Sequence, residues 1–101
     1  MRMLLFVKFP PEPFNSAVRD GSIGKKMKAL LEAMKPETAY FTERDGSRGG
    51  IFVVNVENPS QVPVLAEPWF LTFNAQCEFR IAMQPEDLAK AGLEELGKKW
   101  A

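Results

Sequence analysis

Two segments of this chain, Met3–Phe9 (MLLFVKF) and Ile51–Val56 (IFVVNV), carry apolar side chains at consecutive rather than alternate positions. An extended strand projects neighbouring side chains to opposite faces, so both faces of each segment are apolar and both need cover. That requirement limits the chain to folds in which two central strands are sandwiched between a helical layer and something else.

The remaining punctuation supplies the helical layer. Met3–Phe9 stops at Pro10-Pro11 and reads as the first strand. Ser22 is placed to cap a helix in which Ile23, Met27, Leu30, Leu31 and Met34 recur at helical spacing, and Pro36 ends it; Phe14–Gly21 extends this helix forward as a broken turn. Thr38–Arg44 and Ile51–Val56 flank the loop Asp45-Gly46-Ser47-Arg48-Gly49-Gly50 and form a hairpin. A second helix starts near Ser60, is kinked at Pro68 and is capped by Asn74. Gln76–Met83 alternates as a half-polar strand, and Pro85 opens a third helix bearing Leu88, Leu93, Leu96 and Trp100 that depends on docking.

Strand, helix, hairpin, helix, strand is an α+β arrangement of the ferredoxin-like βαββαβ type with an additional C-terminal helix. Right-handed crossovers place both helices on one sheet face, leaving the other face of the two central strands apolar and open. At 101 residues only one domain, 1–101, is available, and it buries only about 60 to 65% of its unfolded surface. An open apolar face is a heavy burden for so small a monomer, so a homodimer through the sheet is expected.

In this order and patterning the chain resembles the dimeric α+β barrel superfamily, small ferredoxin-like proteins whose sheets pack face to face, among them the muconolactone isomerase-like and related small families. Stretches such as Lys35–Phe41, Ala66–Phe70 and Pro85–Ala91 look like those of small uncharacterised bacterial proteins. The resemblance implies a pocket between sheet and helices or inside the dimer. Haem-binding members bind through histidine, and another branch uses a His-Asp pair; this chain has no histidine and neither option.

The missing histidine also removes Ser-His-Asp and Cys-His catalysis and most zinc sites, so no metal and no cofactor is expected. Thirteen basic and thirteen acidic residues cancel, which takes away the electrostatic footprint of a nucleic-acid or anionic-membrane binder. The apolar run Met3–Val7 is too short for a signal core or a membrane span, and Cys77 has no partner for a disulfide; the expected location is cytoplasmic. Cys77 itself reads as a small core residue.

Polar side chains on otherwise apolar strands mark the candidate site: Lys8, Tyr40, Arg44, Asn55, Glu78 and Arg80. Glu78 and Arg80 sit two apart on one strand and share a face, as a general base and an anion-holding group would. Trp69 and Phe70, at the Pro68 kink, are expected to wall the same cavity, with Tyr40, Asn55 and Lys8 as further ligand-binding groups. The expected ligand is a small, partly apolar anion, and the reaction class, if chemistry follows, is cofactor-free isomerisation or oxygenation. The alternative for Glu78 and Arg80 is plain edge-strand charge that discourages aggregation, in a non-enzymatic interaction dimer.

A further class shares the element order. Arg48–Asn55 (RGGIFVVN) resembles the third-strand motif of RNA-recognition domains in its Arg, Gly, Phe and Val positions, and Leu5-Phe6-Val7 resembles part of the first-strand motif. Gly50, however, stands where a base-stacking aromatic is expected and Asn55 replaces the last aromatic, so nucleic acid is not an expected partner.

Overall fold

The computed structural model describes all residues, Met1–Ala101. The elements are β1 (Arg2–Phe9), α1 (Pro11–Asp20), α2 (Ile23–Met34), β2 (Thr38–Arg44), β3 (Ser47–Asn55), α3 (Gln61–Phe73), β4 (Gln76–Ile81), α4 (Pro85–Lys90) and α5 (Leu93–Lys99). The four strands form one antiparallel sheet in the order β2-β3-β1-β4, compatible with a ferredoxin-like α+β fold. The two doubly apolar strands, β1 and β3, are the central pair.

Register explains why each face looks as it does. Leu5 lies opposite Phe52 on one side and Phe79 on the other; Val7 lies opposite Gly50 and Cys77. These residues, with Phe9 and Val54, face α1, α2 and α3 and form the core with Leu30, Met34, Trp69 and Phe73. At its centre the Phe52 ring folds back over Gly50, stacks on Trp69 at 5.0 Å between centroids and meets Phe41 edge-on at 5.7 Å. The motif segment Arg48–Asn55 therefore turns Phe52 inward, where it is wholly buried.

Several local expectations change. The hairpin loop is not six residues long: β3 begins at Ser47, and Asp45-Gly46 alone make the turn, both at positive φ (51° and 79°). An Asp-Gly pair suits a two-residue turn that matches strand twist, so Ser47–Gly50 are free to pair with β2. Residues 11–20 are a separate helix rather than an extension of α2. Glu12 stands before its regular turns and accepts hydrogen bonds from the Ser16 backbone N–H (3.1 Å) and hydroxyl (2.6 Å), which hold its carboxyl below the usual range.

Ser22 does not cap α2 through its side chain; its N–H donates to Asp20 Oδ1 at 2.8 Å instead. The helix α3 runs through Pro68 without dividing, because the carbonyl freed at Val64 lies on the exposed side of the helix. The C-terminal helix divides at Gly92 (φ 70°) into α4 and α5, and neither contains a buried residue. No helix is long and apolar enough to cross a membrane.

Candidate functional site

The open sheet face is built from the even residues of β1, β2 and β4 and the odd residues of β3. One row across all four strands reads Tyr40, Ile51, Phe6, Glu78, and the next reads Thr38, Val53, Leu4, Arg80. The centre of the face is apolar and the β4 edge is charged. Leu4, Phe6, Ile51 and Val53 are only half-buried, since no helix or strand of the chain packs over them.

Over this surface lies an ion cluster. Glu78 Oε1 accepts a hydrogen bond from Arg44 at 2.8 Å, and Oε2 accepts one from Arg80 at 3.2 Å. Both guanidiniums rest on the Phe6 ring, at 5.4 Å for Arg44 and 5.0 Å for Arg80. Arg44 starts on β2 and reaches β4 across two intervening strands. Gly49, on the same face between them, has no side chain to obstruct it; a Cβ there would come within 3.4 Å of the Arg44 Cβ.

The missing side chain also leaves a hollow of about 170 Å³ lined by Phe6, Thr42, Arg44, Gly49 and Ile51. A drug-sized ligand needs about 300 Å³ or more, so the hollow accepts a small molecule or one end of a larger one. Individually the contacts are weak: exposed ion pairs contribute about 0.2 to 1 kcal/mol and exposed cation–π contacts about 0.5 to 1 kcal/mol. Their importance is positional, because they hold two guanidiniums side by side over an aromatic floor.

The residues named from sequence divide between the two sides of the sheet. Tyr40, Glu78, Arg80 and Lys8 share the open face, and the Glu78–Arg80 pair forms as the strand spacing implies. Lys8 pairs with Asp45 at 3.5 Å, beside the hollow rather than in it. Asn55 is at the far end of β3, where its Oδ1 accepts from the Met1 amino group at 3.1 Å.

Trp69 and Phe70 do not join this group. Trp69 is 1% exposed in the core, and the sheet separates both residues from Glu78. The single cavity expected from Tyr40, Trp69, Phe70, Glu78 and Arg80 is therefore not formed: aromatic packing fills the space between sheet and helices. The sequence marks Arg44 as a polar strand residue but does not join it to Glu78 and Arg80, and it gives no sign of Phe6 as the floor. The signal was Gly49, a glycine inside a strand, which marks close approach of another group.

Cys77 faces the helices, half-buried, and burial pushes its thiol up to about 11. At pH 8 about one thiol in a thousand is then ionised, so alkylation should be at least about 100-fold slower in the native than in the denatured chain. A native rate within tenfold of the denatured one would contradict this placement. The raised folded value also sets a sign: the folded state loses stability as pH rises from about 9 through 11, where the unfolded thiol ionises first.

No protein-family model matches the chain, and no curated protein matches it in sequence. A solved structure it is similar to is the de novo designed protein Ferredog-Diesel, at 13% sequence identity and a TM-score of 0.47, over 80% of this chain and 85% of that one. The fold stands on the strand order and register themselves.

Proposed function

We propose that the open sheet face binds a small, partly apolar anion between two copies of the chain, in the manner of a dimeric α+β barrel. The observation that carries this reading is the pair of guanidiniums, Arg44 and Arg80, held over the Phe6 ring and bridged by one carboxylate. A carboxylate-bearing ligand with an apolar body matches both halves: its anion takes the guanidiniums and its body lies on Phe6 beside the hollow. A second copy supplies the enclosure that the open hollow lacks.

Glu78 is the internal occupant of that anion site. In the unliganded chain both of its oxygens are engaged, one by Arg44 and one by Arg80. A ligand anion that displaces it releases a carboxylate beside the bound molecule, the arrangement that proton abstraction next to a carbonyl requires. Binding is thus the primary function proposed, and cofactor-free isomerisation is the reaction class it serves.

Benzoate is a suitable probe, followed by calorimetry or by chemical shifts of β1 and β4 amides. Arg44→Ala and Arg80→Ala should each weaken binding at least tenfold. Glu78→Gln should tighten it several-fold, because the competing charge is gone. Weaker binding by Glu78→Gln would remove Glu78 from the role of displaceable occupant, and unchanged binding by both arginine variants would overturn the anion site itself.

A further inference from the structure

The chain is not compact in proportion to its length. A 100-residue domain has a radius of gyration of about 13 Å, whereas this one has 17.2 Å and a longest dimension of 60 Å. The excess is the segment after β4. Every buried residue lies between Leu5 and Ala75, and α4 and α5 contribute nothing to the core. Yet this segment is well specified: Gln84 and Asp87 form a reciprocal capping box, and acidic residues precede basic ones in both helices. Its apolar side chains, Met83, Leu88, Leu93, Leu96 and Trp100, are exposed, Trp100 to 76%.

One chain thus carries two uncovered apolar surfaces, the open sheet face and this arm. We propose that residues 84–101 are an exchange arm: each protomer lays its α4–α5 segment on the open sheet face of a second copy, reciprocally about a twofold axis. The proposal rests on the sheet face being the dimer surface and adds what closes it. The charge balance favours the pairing by a small margin: Glu86, Asp87, Glu94 and Glu95 on the arm exceed its Lys90, Lys98 and Lys99, while Lys8, Arg44 and Arg80 on the face exceed its Glu78.

Area separates arm exchange from bare sheet-on-sheet packing. Six paired positions at about 3.4 Å and four strands at about 4.8 Å give a face of about 400 Å². Two faces meeting without arms bury about 800 Å², the range of incidental contacts. Each arm, two short helices about 20 Å long together and about 10 Å wide, adds about 200 Å² of its own. The total of about 1,200 Å² is where specific interfaces begin. Reciprocity follows from symmetry, because a closed twofold pair leaves no arm or face unmatched.

Light scattering tests the arm in the full chain and in residues 1–83, which keep the whole core. The full chain should have about twice the 11.4 kDa monomer mass, while the full-length L93D/L96D variant should be a monomer with unchanged far-ultraviolet circular dichroism and the 1–83 chain a monomer that loses only the helical signal of α4 and α5. A full chain that is monomeric at about 100 μM removes both the arm and the sheet-face dimer. A 1–83 chain that stays dimeric overturns the arm alone. Mixing separates arm-on-face from other pairings: F6E (damaged face, intact arm) and L93D/L96D (intact face, damaged arm) should each be monomeric, and their mixture, which restores one of the two seats, should associate more tightly than either variant alone at the same total concentration. A mixture no tighter than either variant overturns the assignment of the sheet face as the arm's seat.

Discussion

Replacing Trp69 with alanine is expected to lower stability by about 3 to 5 kcal/mol, the cost of truncating a buried aromatic whose space cannot collapse. The reason is the number of surfaces that meet there. Trp69 stacks on Phe52 of the central strand β3, meets Phe9 of β1 at 5.7 Å and stands on the same side of α3 as Ala66 and Phe73. These three residues are the buried face of the helix, so the indole is the largest link between α3 and the sheet. Small domains have only about 5 to 15 kcal/mol to lose. At about 4 to 8 °C per kcal/mol for a domain of this size, the melting temperature should fall by at least about 12 °C. Thermal unfolding followed by circular dichroism measures it, and a fall under about 5 °C would mean that Phe52 and Phe73 close over the gap.

The same residue shows where sequence reading succeeds and where it stops. The element order and the central position of β1 and β3 were legible, because apolar runs, proline and turn residues act locally. Which face each side chain takes was not. In Met3–Phe9 both alternate sets are apolar, so pattern alone leaves Leu5, Val7 and Phe9 against the helices as good a choice as Leu4 and Phe6. Trp69 looked like a pocket wall because Pro68 suggested a kink; the helix continues, and the indole stays in the core. Glu78 and Arg80 were found because they are neighbours on one strand. Arg44 belongs with them only through the pairing of all four strands, a long-range fact that the sequence carries weakly, as one glycine in β3. The exchange arm was half legible: the need of the last helix for docking is visible in its glycines, but not that its own chain offers no dock.

The second large effect concerns Gly50, and its cause is a single ring. A Cβ built at Gly50 would lie 2.7 Å from Cζ and 2.8 Å from Cε2 of Phe52, closer than atoms of that kind pack. The ring cannot swing aside freely, since Trp69 lies against its face and Phe41 against its edge. Gly50→Ala should therefore cost about 1 to 3 kcal/mol through overpacking, and Gly50→Val at least as much despite the higher strand propensity of valine. Propensity differences span only about 1 kcal/mol, so the steric term decides the sign. If the Phe52 ring is the cause, trimming it should relieve the clash: in a Phe52→Leu background, which is itself destabilised, Gly50→Ala should cost less than half of what it costs in the parent chain. Denaturant unfolding of the four chains in this cycle gives the coupling between the two positions, expected at about 1 kcal/mol or more for residues in direct contact. Additive costs would show that the backbone of β3, held between β1 and β2, resists the new side chain independently of Phe52.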